Sequence, residues 1–354
     1  MTDEPELLLE TRGLIGLMTL NKPKALNALS MTMVEDMHPQ IVTWANDNTI
    51  GAVVIQGAGE KAFCAGGDIR DMYLNRGTDF GAVYYAAEYL LNVGIHTFPK
   101  PFIALMDGVT MGGGAGVSIH GSHRVVTERT LFAMPETGIG LFPDIGASWF
   151  LSCCPGQIGM YLGLTGHRMR AADCLYAGIG DFYIESTRQE ELLVALSGAT
   201  EIDERSVNRV LKSFATEPGL SPLAKHREAI DRCFAGDSVT EILENLENED
   251  TDWAREQLEV LEYKSPTALK LTYRQLSLAP KVDSIADIMR MEYRMAFRIY
   301  RGNDLFEGIR AVVIDKDGVP KWQPDSLDAV SDADIDEYFV PVSDEPDFSQ
   351  AELS

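Results

Sequence analysis

An α/β core of stacked βαβ units followed by a helical extension is the architecture the sequence predicts. Three observations point to it. Strand-like and helix-like segments alternate over the first ~190 residues. From Ser206 onward helical periodicity takes over. A glycine-rich turn, MGGGAG at 111–116, joins a strand pattern to a helix start. Residues 1–195 are the expected core, 196–340 the helical extension and 341–354 an acidic, flexible tail.

The elements follow in order. Residues 7–20 alternate around Arg12 and Gly13 and read as a hairpin. Thr32 and Glu35 have capping-box spacing, and Val34, Met37 and Ile41 keep one helical face, with Pro39 placed to kink that helix. IGAVVIQG at 50–57 is a continuous apolar run of strand length. Residues 81–94 predict a helix with Val83, Ala87, Leu90 and Leu91 on its apolar face. Further strands are expected at 102–106, 123–126 and 182–185. In the extension, helices are expected at 207–214, 222–234, 239–261, 266–276 and 285–300.

Composition narrows the function. Of the 354 residues, 45% are hydrophobic and 24% charged, as in ordinary soluble proteins. The 54 acids outnumber the 30 Lys and Arg, for a formal charge of -24, which disfavours a nucleic-acid partner. From Lys321 to the end, that lysine is the only base against Asp325, Asp328, Asp332, Asp334, Asp336, Glu337, Asp344, Glu345, Asp347 and Glu352, which predicts a solvated tail. No apolar run approaches the ~20 residues of a membrane span, so no membrane partner is expected. The five cysteines show no metal-ligand spacing, and neither a metal nor a disulfide is expected. With an acidic start, MTDEPELLLETRG, the expected compartment is the cytoplasm.

Two glycine segments carry the chemical signal. FCAGGD at 63–68 reads either as a tight turn or as backbone brought close to a ligand. MGGGAG exposes the unpaired N–H groups of a helix start, which favour negative charge, yet lacks a P-loop lysine and the G-x-G-x-x-G spacing. Beyond it, MPETGIGLFPD at 134–144 sets Glu136 and Asp144 among apolar and glycine residues. His120 and His123 stand without a G-x-S-x-G elbow and are expected to be structural, with a cationic histidine suiting the helix end. Cys64 is expected to be a packed thiol.

Together with NKPKALNAL (21–29), KPFIALMDG (100–108) and LTGHRMRAADCLYAGI (164–179), these segments resemble the crotonase (enoyl-CoA hydratase/isomerase) superfamily. The resemblance implies a spiral of stacked ββα turns. It also implies an acyl-CoA substrate, the CoA being part of the substrate and no cofactor being needed. It assigns oxyanion-binding amides to Gly67 and Gly113, and a border along the CoA to Lys24, Ala25, Leu26, Ala65, Asp68 and Ile69. Hydratases of the superfamily use two glutamates. Gly116 stands where the first would be, and only Glu136 matches the second.

MPETGIGLFPD, with KSPTALKLTYRQL (264–276) and residues 291–322, is similar instead to the 3-hydroxyisobutyryl-CoA hydrolase branch. That likeness implies thioester hydrolysis in valine breakdown, with 3-hydroxypropionyl-CoA as a further substrate. It implies that Glu88, Gly113, Glu136 and Asp144 bind substrate or act in hydrolysis. Glu136 is then a nucleophile or a general base. Asp144 binds the 3-hydroxyl or helps position water, caps the helix expected after it, or does both, and Glu88 either enters the site or is a surface charge. An enoyl-CoA isomerase with one working glutamate, an inert acyl-CoA-binding protein and a homo-oligomer stay open.

Overall fold

The computed structural model describes residues 4–353. β1 (Leu7–Arg12) and β2 (Ile15–Leu20) form the expected antiparallel hairpin. After α1 (Met31–Asn46), the chain makes three successive strand pairs. These are β3 (Ala52–Gly57) with β4 (Ala62–Cys64), β5 (Phe102–Met106) with β6 (Val109–Met111), and β7 (His123–Val126) with β8 (Leu131–Ala133). Helices α2 (Ile69–Leu74) and α3 (Phe80–His96) follow the first pair, and α4 (Gly113–Ile119) the second. Each pair gives one strand to a sheet ordered β1-β2-β3-β5-β7-β9, with β9 at Phe182–Tyr183, and the other to a small parallel sheet, β4-β6-β8. The path is therefore a spiral of ββα turns.

The strand sequences explain this arrangement. A parallel sheet buried on both faces calls for unbroken apolar runs, and AVVI in β3 and FIALM in β5 are fully buried. Val53, Ile55, Phe102 and Ala104 face one apolar cluster, while Ala52, Val54, Ile103 and Leu105 face the other. The chain continues through α5 (Ala147–Ser152), α6 (Ile158–Thr165), α7 (Ala171–Ala177) and β9 (Phe182–Tyr183). Helices α8 (Gln189–Ser197) and α9 (Glu204–Phe214) then cover the second face with Leu192, Leu196, Val207 and Leu211.

Within the expected 196–340 extension, α9 thus belongs to the cover of the core sheet, and the rest comprises α10 (Arg227–Cys233), α11 (Val239–Glu249), α12 (Asp252–Glu262), α13 (Pro266–Leu278), α14 (Ile285–Ile299), α15 (Asp304–Ile309) and α16 (Asp332–Glu337). Its helix α13 packs on α5 and α6, and α14 packs on α3 and α5, all within the larger apolar cluster. Among the described residues no helix is long and apolar enough to cross a membrane.

Several local expectations are corrected. Ser30, not Thr32, caps α1 by accepting the Met33 amide. The acidic 239–261 segment is two helices, broken where Asp250 takes a φ of 44°. Helix α3 buries Tyr84, Tyr85, Glu88, Tyr89 and Asn92 and exposes Val83, so its inward face is rotated from the one hydropathy indicated. Within 341–353 the acids Asp344, Asp347 and Glu352 are exposed as expected, but the segment is anchored and does not trail freely. Phe348 is buried, with ring centroids 6.3 Å from Tyr89 and 5.9 Å from Tyr293, and Glu345 pairs with Arg294 at 2.7 Å. The acidic spacing concealed these few anchors.

Candidate active site

The two glycine segments meet where β4 and β6 end side by side. After Cys64 the chain turns through Gly66, whose φ of 115° suits glycine, and Gly67 then bridges Leu29. The bridge uses the Gly66 carbonyl and the Asp68 amide, so the Gly67 N–H has no acceptor among the described residues. The N–H of Gly113, at the first position of α4, has none either. A methyl built on Gly113 would stand 3.2 Å from the Gly67 nitrogen, so both amides border one small space.

Each glycine of the triplet answers a different constraint. Gly112 holds a φ of 47°, and a side chain there would begin 3.3 Å from Glu136 Oε1. At Gly113 it would begin 2.4 Å from Glu88 Oε1. At Gly114 it would lie 2.2 Å from the Cys64 carbonyl oxygen, which is a packing requirement between α4 and β4. Gly116 is pressed in the same way: a Cβ would meet Asn92 Nδ2 at 2.8 Å and Ile145 Cβ at 3.1 Å. No acid fits there without displacing that contact.

Around the amides lies a cavity of about 810 Å³. Glu136 opens a short 3-10 turn after Pro135 and is 5% exposed, with Oε2 lacking a partner. Glu88 projects from α3, 3% exposed, with Oε1 likewise unpartnered. The surface-charge alternative for Glu88 is thereby excluded. Asp144 is 5% exposed and accepts a hydrogen bond from the Tyr89 hydroxyl at 2.9 Å. It does not cap a helix with its side chain, because α5 begins after Gly146.

Burial dominates the electrostatics. It pushes Glu136 and Glu88 well above the usual carboxylate range, and the nearby Asp144 charge adds to both. Burial raises Asp144 to about 7, with the Tyr89 hydrogen bond acting in the opposite direction. Lys264, which hydropathy did not single out, projects into the cavity from the start of α13, near Gly138. Burial lowers it to about 8, against the pull of Glu136. A cation so placed favours ionised Glu136.

Any step needing that carboxylate should therefore lose its acid limb upward when the cation is removed. In Lys264→Met the midpoint of the acid limb of kcat/KM is expected to move to higher pH, because the charge that lowers the Glu136 pKa is gone. A pH–rate profile checks this; an unmoved or lowered midpoint contradicts it.

The cavity wall includes Ala25, Leu26, Ala65, Asp68 and Ile69, but not Lys24, which is exposed on the short turn Pro23–Ala25. Asp68 is also engaged structurally, pairing with Lys22 at 3.1 Å and capping α2. Tyr84, Tyr85, Leu141, Arg168, Leu305, Val312 and Val313 complete much of the wall. The valines arrive on a π-helical turn, Arg310–Ile314, after α15. The spacing of Tyr85 and Tyr89 on one helical face was the available signal for α3. His120 is buried, bonded to the Ile145 carbonyl and pushed down to about 3, so it is structural as expected but neutral, not a cation for the helix end. Cys64 is buried and raised to about 12, an inert thiol.

Two free amides facing buried carboxylates in one cavity are the arrangement of an enzyme of carbonyl chemistry, with donors fixed where an oxyanion would develop. The chain belongs to the enoyl-CoA hydratase/isomerase family, whose model matches residues 15–339. A curated relative from Danio rerio, "3-hydroxyisobutyryl-CoA hydrolase, mitochondrial", is 44% identical over 94% of this chain and 89% of its own. The Rattus norvegicus protein of the same name is 43% identical, over 96% and 89%. A solved structure titled as a carnitinyl-CoA dehydratase from Mycobacterium thermoresistibile superposes with a TM-score of 0.91 at 39% identity, covering 97% of this chain and 98% of that one.

Proposed function

We propose that the protein hydrolyses the thioester of 3-hydroxyisobutyryl-CoA, and of 3-hydroxypropionyl-CoA, to the 3-hydroxy acid and CoA, in valine breakdown. One observation carries the choice over alkene hydration. Glu136 and Asp144 stand buried in the cavity of the free glycine amides, while the position of a hydratase's first glutamate is Gly116, packed against Asn92. The curated hydrolase relatives support it.

In this reading the thioester oxygen sits between the Gly67 and Gly113 amides, which meet the charge it gains without reorganising. Ionised Glu136 attacks the thioester carbon, and the carbon–sulfur bond breaks as CoA leaves and takes up a proton. Water then cleaves the mixed anhydride, restoring Glu136 and releasing the acid. Covalent attack divides one hard step into two; the alternative within the same site is Glu136 as base to the attacking water. Asp144, held by Tyr89, binds the 3-hydroxyl, and Glu88 lies against Gly113 on the acyl side. The CoA runs along Ala25, Leu26, Ala65, Asp68 and Ile69, beside exposed Lys24. No cofactor beyond the CoA of the substrate enters the scheme. Five free thiols suit a reducing compartment; we assign the cytoplasm from the acidic start of the sequence, although the relatives' names carry "mitochondrial".

Free CoA trapped by a thiol reagent tests the reading across 3-hydroxyisobutyryl-, isobutyryl- and crotonyl-CoA. Release is expected from the hydroxy ester, with isobutyryl-CoA slower by up to about 10⁴-fold, because a site built around a hydroxyl leaves polar groups unpaired without it. A shifted double bond without CoA release would favour an isomerase. Binding without turnover of any ester would favour an inert acyl-CoA-binding protein.

A further inference from the structure

The turn that carries Asp144 is held from the far side by the helical extension. Ile145 adopts a φ of 55°, a region that β-branched residues almost never enter, and Gly146 follows at 82°. Such a backbone persists only where its surroundings over-determine it. Here every side of the turn is tied. Gln275 Nε2 of α13 donates to the Pro143 carbonyl at 2.7 Å. Glu292 of α14 accepts the Gly146 amide at 2.7 Å and the Ser148 amide at 2.9 Å. His120, at the end of α4, meets the Ile145 carbonyl at 2.7 Å. A side chain at Gly146 would begin 2.6 Å from the His120 ring and 2.9 Å from Met289, so the chain cannot relax by substitution there.

Glu292 and Gln275 are fully buried; both Glu292 oxygens and Gln275 Nε2 bond to this turn, while Gln275 Oε1 has no partner among the described residues. Apolar residues would join α13 and α14 to the core at lower cost than a buried carboxylate and amide, since burying polar groups is favourable only when they meet specific partners. The partners here are the backbone groups on either side of Asp144. Tyr89 holds the carboxylate itself.

We infer that Glu292 and Gln275 are positioning residues: the extension clamps the strained 143–148 turn and so places the Asp144 carboxylate against the substrate hydroxyl. The inference rests on the proposed role of Asp144.

A double-mutant cycle on the full chain tests it, with Glu292→Gln, Asp144→Ala and the pair assayed on 3-hydroxyisobutyryl-CoA and isobutyryl-CoA. Glutamine keeps the shape but presents an NH₂ to one of the two amides. Glu292→Gln is expected to lower kcat/KM about tenfold on the hydroxy ester, since small displacements of a reacting constellation are costly. On isobutyryl-CoA, and in the Asp144→Ala background, its effect should stay within about twofold, the usual error of additivity. Equal losses on both esters, or full additivity with Asp144→Ala, would mean a cap that only stabilises α5, and would overturn the clamp. Wild-type turnover in Asp144→Ala would overturn the role of Asp144 itself, and the clamp with it. If Glu292→Gln does not fold, Gln275→Met must show the same ester-selective, non-additive loss, and its absence would count against the clamp.

Discussion

Glu136→Gln is expected to lower kcat for CoA-ester hydrolysis on the order of 10³- to 10⁴-fold, because an amide neither attacks the thioester carbon nor takes a proton from water. The substitution keeps the volume of a buried side chain, and the residues proposed to run along the CoA are untouched, so ester binding should remain measurable. Stability should not suffer. Burial holds Glu136 well above the usual carboxylate range, so its ionised form opposes folding, and a neutral amide removes that opposition. Free-CoA release, direct titration of a CoA ester and thermal unfolding check the three parts. Turnover within tenfold of wild type would remove Glu136 from the centre of the scheme.

Gly113→Ala should be nearly as damaging through a different cause. Its methyl would stand 2.4 Å from Glu88 Oε1, 3.1 Å from Leu29 Cδ1 and 3.2 Å from the Gly67 nitrogen. It therefore occupies the space bordered by both free amides and drives Glu88 aside. Losing one oxyanion donor typically costs ~10² to 10³ in kcat, and kcat is expected to fall by at least that much. The Glu88 carboxylate sits at the end of a flexible side chain, so the fold should survive, unlike at Gly114, where the clash is with the Cys64 backbone. Circular dichroism with single-turnover CoA release separates the two effects. An alanine variant with near-normal turnover would place the oxyanion elsewhere.

How much was legible depended on distance along the chain. The strands of the spiral announce themselves, because a parallel sheet covered on both faces requires runs such as AVVI and FIALM. Gly67, Gly113, Glu136 and Asp144 stood out locally, as glycines after strands or acids in apolar frames. Glu88 did not: hydropathy ranks a glutamate as outward, and the true inward face of α3 contains three tyrosines and Asn92 that an apolar stripe does not include. The packed tail was misread for a related reason, since a few buried residues such as Phe348 outweigh many solvated acids.

By itself the sequence determined the alternating α/β core, the helical extension, the two glycine turns and the two acids of the MPETGIGLFPD segment, because each is specified by residues close together in the chain, whereas the spiral and the amide role of Gly67 and Gly113 came from the family resemblance. Only the tertiary structure decided which groups meet. Tyr89 reaches Asp144 from 55 residues away, and Glu292 reaches Gly146 from 146. It is also the packing of these segments that buries the cavity's carboxylates and raises them, since desolvation belongs to the assembled core and to no segment alone.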